Sequence, residues 1–211
     1  MVDFSIINAA ATRTGNDPIT ALDEGSIVAN VATNSYEEVV ASELSLYPWK
    51  RASKTATLNR LDPDVHGDPA EPWTAAYALP SDFIDVRTVM VGGSTISYAV
   101  SGDTILTDAS EDDVVVLHYI WRVDEVEWPP WFREGVIRRM EAMFLRAVGE
   151  RYREAQARDE AADEQFQKAR NRDSQSVPGR SPVGSPLLRA RGGLVGPAGP
   201  YDPFGPSWPY R

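Results

Sequence analysis

The chain has 211 residues, 42% of them apolar, with a formal net charge of −10 and no cysteine. That size allows one ordinary domain with a real core plus an appendage. The lack of cysteine excludes disulfides, thiol nucleophiles, zinc ribbons and iron–sulfur sites. The acidic balance argues against a general nucleic-acid binder, which would carry a basic patch. No apolar run reaches the length of a membrane span, and the first fifteen residues lack the basic and long apolar parts of a signal peptide, so neither is expected.

Ser5 to Thr14 reads as a short helix, capped by Ser5, lined by Ile6, Ile7 and Ala10 and stopped by Gly15. Asn16-Asp17-Pro18 is a turn. A second helix is expected from about Ser26, or at least from Ser35, to Tyr47, with Asn34 or Ser35 as its cap. Tyr36, Val39, Val40, Leu44 and Tyr47 recur on it at helical spacing, and Pro48 ends it.

The period then changes. Thr55 to Leu61 is a candidate strand, and Asp62 to Pro72 a loop rich in proline and acid. From Trp73 to Trp121 the chain reads as β. Phe83 to Val91 is a strand, and Gly92-Gly93 is a two-residue hairpin turn of the kind that needs positive φ. On the returning strand Ile96, Tyr98 and Val100 alternate with polar residues, which predicts one buried face. Gly102-Asp103 turns again, Thr104 to Thr107 is a short strand, and Asp108 to Asp113 is an acidic loop with Glu111-Asp112-Asp113 at a hairpin tip. Val114 to Trp121 is nearly continuous apolar sequence, as in a central strand covered on both faces.

Helical period returns at Pro129-Pro130, which suit a helix start. Phe132, Val136, Met140, Phe144, Val148 and Tyr152 fall at i+4 steps, with Ile137 and Leu145 beside them. One helix is expected to run on to about Arg172, its far part polar apart from alanines and Phe166. Its charged stretch from Glu150 to Arg172 is the expected place for contacts between subunits.

The last 35 residues differ in composition. They hold eight of the sixteen prolines and seven of the fifteen glycines, too many for a packed core. Four arginines against Asp202 make this stretch +3, on a body of −13. A basic tail on an acidic body suggests that the tail visits an acidic surface. Pro197, Pro200, Pro203, Pro206 and Pro209 recur every third residue, the period of a polyproline II rod. Tyr201, Phe204, Trp208 and Tyr210, with Arg189 and Arg191, are the candidate docking residues of this arm.

These readings predict an α+β fold: a helical bundle closed by one long C-terminal helix, a small antiparallel β domain inserted between helices, and an extended arm. The expected boundaries are 1–54 for the N-terminal helices, 55–123 for the β domain, 124–173 for the long helix and 174–211 for the arm.

The order of elements, and the residues at their joints, resemble the head-to-tail adaptors of short-tailed bacteriophages, the tail tubular protein A family. The matching pieces are Ile6 to Ala10, the helix from Tyr36 that ends at Tyr47-Pro48-Trp49, and Tyr77-Ala78-Leu79-Pro80-Ser81-Asp82-Phe83 leading into Val86 and Arg87. Ile105 to Asp108, Tyr119, Arg122-Val123, Trp128-Pro129 and Phe132 follow in order. The Tyr-x-Leu-Pro-x-Asp-Phe piece is the most specific. The resemblance covers residues 4 to 170; the loop 62–72 and the arm do not map onto the family.

The resemblance implies a non-catalytic virion protein without a cofactor, made in the cytoplasm of the bacterial host. It implies a ring, dodecameric in this family, that sits under the portal protein, extends the DNA channel and receives a tail nozzle or a tail-tube or terminator protein. DNA would pass without specific binding. It carries over no catalytic residue. A rival expectation is a monomeric interaction module whose proline-rich aromatic tail binds a polyproline-reading partner.

Other chemistry is thinly supported. Phosphate loops, nucleophile elbows and HExxH motifs are absent. Asp62 to Asp68 starts like a calcium loop, but a histidine stands at the fifth position and Trp73 at the twelfth, so a solvated loop is expected. His118, inside an apolar strand, is expected to be a hydrogen-bonded sheet histidine. Trp49, Trp73, Trp121, Trp128 and Trp131 are expected mainly at cores and domain seams, with subunit contact as the alternative.

Overall fold

The computed structural model of the chain describes residues 4–149 and 151–176. Among them are five α-helices, α1 (Phe4–Arg13), α2 (Ile27–Ser45), α3 (Pro63–His66), α4 (Pro130–Gly149) and α5 (Tyr152–Gln175). The strands are β1 (Ser53–Thr57), β2 (Ala75–Ala78), β3 (Phe83–Val91), β4 (Ser94–Thr95), β5 (Tyr98–Ser101), β6 (Thr104–Thr107) and β7 (Val115–Trp121). The fold is α+β, with helices before and after the strands, as the sequence predicts.

Local chemistry sets most boundaries. Ser26 caps α2, its Oγ accepting the Ala29 N–H at 3.1 Å. The earlier of the two expected starts is therefore the observed one, and Asn34 and Ser35 lie inside the helix rather than at its cap. Ser5 likewise lies inside α1, not ahead of it. Asp62 caps the single turn α3, its Oδ1 accepting from Asp64 N, so the loop 62–72 contains a helical turn. Gly92 and Gly93 have φ of 56° and 85° and join β3 to β4 in the expected tight hairpin.

The β region holds two antiparallel sheets where one was expected, ordered β1-β7-β3-β4 and β2-β6-β5. The returning strand is split: Ser94 and Thr95 pair with β3, while Tyr98 to Ser101 belong to the other sheet. Val100 is consequently exposed. Glu111 to Asp113 lie in the link from β6 to β7, which belong to different sheets, so they are not a hairpin tip. β1 begins at Ser53, ahead of the expected boundary at residue 55.

β7 is central in its sheet, as expected, but it is not covered on both faces. Val115, Leu117 and Tyr119 are buried, whereas Val116 and His118 are only half-buried and Val114 is 61% exposed. His118 Nδ1 lies 3.0 Å from Thr55 Oγ1 across the strand pair, the expected sheet role.

Two apolar clusters result. One gathers α1, α2, α4 and α5 around Ile7, Tyr36, Val40, Trp49, Phe132 and Met140. The other lies among the strands, around Tyr77, Val89, Ile105 and Leu117. Trp121 packs against both.

The largest departure is at the C-terminal helix. The chain reverses after Gly149, and α5 folds back antiparallel along α4. Contacts run in opposite directions: Trp131 O accepts from Gln165 Nε2 at 2.9 Å, the rings of Phe132 and Phe166 are 5.6 Å apart, and Ala161 O accepts from Arg138 Nη1 at 3.4 Å. α5 buries Ala155, Ala162, Phe166 and Ala169. Small residues let the helices approach closely, as at Gly135, where a Cβ would sit 2.7 Å from Phe166 Cε1 and Cζ. α5 also runs to Gln175, past the expected arm boundary at residue 174.

Gly135→Ala should therefore lower stability by about 1–3 kcal/mol through overpacking. Denaturant unfolding measures it, and adding Phe166→Leu should recover part of the loss. An unchanged midpoint for Gly135→Ala alone would contradict the seating of Phe166.

Candidate functional site

The residues that carry the family resemblance fall at two places on the seam between helices and sheets. The first is built by the Tyr77–Phe83 piece. Tyr77 fills the strand cluster, and Leu79 and Pro80 carry the chain out of β2 towards β3. Asp82 then sits at the mouth of β3, where three elements meet. Its Oδ2 accepts from Lys54 Nζ of β1 at 2.6 Å, its Oδ1 from the Tyr119 hydroxyl of β7 at 2.9 Å, and its carbonyl from Arg122 N at 3.0 Å. Lys54 also lies over the Trp121 ring, 4.3 Å from its centroid, and Phe83 stacks at a tilt on Tyr119. Burial opposes ionisation of Asp82, but Lys54 and the Tyr119 hydroxyl outweigh it and hold the carboxyl below the ordinary aspartate range. Burial, then the bond to Asp82, pushes the Tyr119 hydroxyl up to about 12.

The second place is aromatic. α2 stops at Ser45 with Leu46 as its C-cap, two residues short of the expected Tyr47; Pro48 beyond it is exposed, while Trp49 turns inward and donates its indole N–H to Glu43 O at 2.9 Å. Trp49 meets Phe132 edge-on at 5.1 Å, and Trp128 meets Phe132 edge-on at 5.0 Å. Trp128 donates to Val123 O, which fixes the strand-to-helix passage. Trp49 and Trp128 are thus core residues, as expected; Trp73, Trp121 and Trp131 are half-buried.

Charged groups complete the seam, and of these the resemblance named Arg122. Arg122 clamps Glu37 through Nε and Nη2, at 2.9 and 3.1 Å, and gives Nη2 to buried Glu125 at 2.6 Å. Glu125 also accepts from the Tyr36 hydroxyl. Burial, then the Glu125 charge, raises the Tyr36 hydroxyl well above its ordinary range, so it stays protonated and donates. In the bundle, Arg139 holds Glu43 of α2 at 2.7 Å and Asp159 and Asp163 of α5 at 3.1 and 2.6 Å. Glu43 is only 4% exposed, and burial lifts its carboxyl above the usual range despite Arg139. Arg13 of α1 grips Glu134 with two nitrogens and reaches Glu141, which is 1% exposed and also faces Arg158 of α5. The charges of α5 expected at subunit contacts are thus partly spent inside the chain.

One sequence signal could have found the buried acids. Glu43 falls between Val40 and Leu44 on the apolar side of α2, and Glu141 falls beside Met140 and Leu145 on that of α4. An acid at a core position implies a partner.

The arrangement binds elements together. Its acids are held by arginine, lysine or tyrosine donors, and among the described residues no group of three acids or histidines is placed to hold a metal ion. No helix among them is long and apolar enough to cross a membrane. The arm residues, Arg189, Arg191, Pro197, Pro200, Tyr201, Pro203, Phe204, Pro206, Trp208, Pro209 and Tyr210, lie outside the described residues. Neither the protein-family models nor the curated proteins contain a match to the sequence.

Removing Arg139 alone (Arg139→Met) should destabilise the fold by about 3–5 kcal/mol, because it strands buried Glu43. Combining it with Glu43→Leu should recover much of that in chemical denaturation; equal losses for the single and double variants would show that the pair does not couple. Asp82→Asn should cost about 1–2 kcal/mol at neutral pH. Since the folded Asp82 carboxyl titrates below its unfolded value, its contribution is present above about pH 4 and lost as pH falls through the folded value, so the gap between wild type and variant should close in acid. A gap independent of pH would refute the ion pair.

Proposed function

We propose that the protein is a structural, non-catalytic virion component: a head-to-tail adaptor whose copies form a ring, of the dodecameric kind, between the portal protein and the tail of a bacteriophage. It extends the DNA channel and receives a tail nozzle or a tail-tube or terminator protein. The observation that carries this reading is the Tyr77–Phe83 piece, the most specific point of resemblance to such adaptors. Its acid is the one that ties β1, β3 and β7 at the seam with the helices. The architecture supports it: helices on either side of an inserted β region, as the resemblance implies. The acidic body suits a wall past which DNA slides, because negative charge disfavours tight binding of phosphate. The basic proline-rich arm of each copy docks on the portal or a neighbouring adaptor. Ordering such an arm costs entropy, and repetition around a ring makes weak contacts durable.

Light scattering on the purified protein, alone and mixed with the portal protein of the same source, tests this. The expected result is a small species alone and a large stoichiometric complex with portal. No complex with a correctly folded portal would overturn the adaptor reading. Deleting residues 177–211 should leave a folded protein that fails to join heads to tails; normal joining would remove the arm's role.

A further inference from the structure

Between the first turn of α4 and the second half of α5 lies an open groove of about 520 Å³, lined by Pro130, Trp131, Gln165, Lys168 and Arg172. Pro130 is exposed and Trp131 half-buried, so part of the lining is apolar. Its charge is of one sign. Asp159 and Asp163, further back on α5, are engaged with Arg139 of α4. Arg172 makes no ion pair among the described residues. Lys168 has Glu164 at 3.9 Å, the two side chains 71% and 73% exposed, a pair that water screens.

The opposite sign is concentrated on the link from β6 to β7. Asp108, Glu111, Asp112 and Asp113 fall within six residues, and none pairs with a cation among the described residues. Asp113 accepts from Ser110 N at 2.8 Å, which folds the link into a turn. Val114, at its end, is 61% exposed. β7 runs from this link to the helices, with Leu117 in the strand cluster and Ile120 in the helical one. Six steps of about 3.3 Å separate Val115 from Trp121, so the acids stand roughly 20 Å from the seam. The groove and the link are thus at separate places on the chain, and a contact between them is a contact between copies.

We propose that the groove takes the link 108–114 of a second copy of this chain. Lys168 and Arg172 face its carboxylates, and Val114 rests against Trp131 and Pro130. The match is twofold: unpaired cations meet unpaired acids, and an exposed valine meets the exposed part of an aromatic floor. Each chain has one groove and one such link, so every copy gives and receives. Contacts of this head-to-tail kind close into a ring or run on as a filament. The inference deepens the ring of the adaptor reading by naming the faces at which neighbours meet, and it rests on that reading for the closed form. Exposed ion pairs are individually weak, and repetition around a ring adds them up.

The chain has no cysteine, so introduced thiols report contacts without ambiguity. Full-length protein carrying Pro130→Cys is mixed at high concentration, without portal, with full-length protein carrying Ser110→Cys. Both positions are exposed. A short bis-maleimide then links neighbours. The expected result is mixed dimers above the like-with-like background, with a yield that falls as salt is raised. Lys168→Glu with Arg172→Glu on the groove chain should cut that yield on the order of tenfold, and so should Glu111→Lys with Asp112→Lys on the link chain. Mixing the two reversed chains should restore it, which damage to either fold could not do. Mixed dimers no higher than background, or reversals without mutual rescue, overturn the proposal. Portal binding by the unaltered chain is read separately by light scattering. A portal complex without mixed dimers removes this contact and leaves the adaptor reading standing; mixed dimers without a portal complex do the reverse.

Discussion

The close approach of α4 and α5 at Gly135 is the constraint on which the bundle depends. Only a residue without a side chain lets the Phe166 ring sit between Phe132 and the α4 backbone. That contact sets the register of the hairpin. Once Phe166 is seated, Ala162 and Ala169 fall on α4 one turn to either side, and Asp159 and Asp163 come within reach of Arg139. Arg139 then reaches past α5 to Glu43, so α2 is tied to the same point. A single packing event between two helices thereby fixes three.

The acids in this network are placed against their own hydration. Glu43 and Glu141 are nearly as buried as the leucines around them. Such charges are weak sources of net stability, because the Coulombic gain and the desolvation cost nearly cancel. Their effect is on which arrangement forms. Apart from Phe166, the apolar face of α5 is alanine, which by itself holds no single register along α4. The forked contacts of Arg139, and the meeting of Arg13 and Arg158 on Glu141, exist in one register only. Charge thus reinforces the register that Phe166 sets over Gly135.

Much of this was legible from the residues, and the failures have physical causes. The end of α2 shortly before Pro48, the Gly92-Gly93 hairpin and the buried stripe of α4 were readable because each is a local rule: a forbidden backbone region, a positive φ, a period. The reversal after Gly149 was not, because the apolar series continues to Tyr152 and outweighs the one local stop signal, Gly149 itself. There the decision is tertiary, made by Gly135 and Phe166, which lie 31 residues apart in the sequence. The division into two sheets was missed for a similar reason. Ser94 to Ser101 alternates like one strand, and only the pairing of Tyr98 with Thr107, rather than with β3, splits it. Of the candidate site, the motif residues from Trp49 to Phe132 could be named in advance. Lys54, and the pairing of Asp82 with Tyr119 and Arg122, could not, because cross-strand neighbours depend on register.

The seam shows why the inserted strands do not behave as a separate lobe. Trp121 contributes to both apolar clusters, and the residue after it, Arg122, gives its backbone N–H to Asp82 and its guanidinium to Glu37 and Glu125. Adjacent residues at the end of one strand thus carry the apolar and the ionic links to the helices. Moving the sheets relative to the bundle would expose Trp121 and break the Arg122 clamp together, so the two losses add. At the α4–α5 joint the ties are fewer: Arg151 reaches Thr14 O at 3.4 Å and pairs with Glu154, and α5 is otherwise held along its length by its seat on α4.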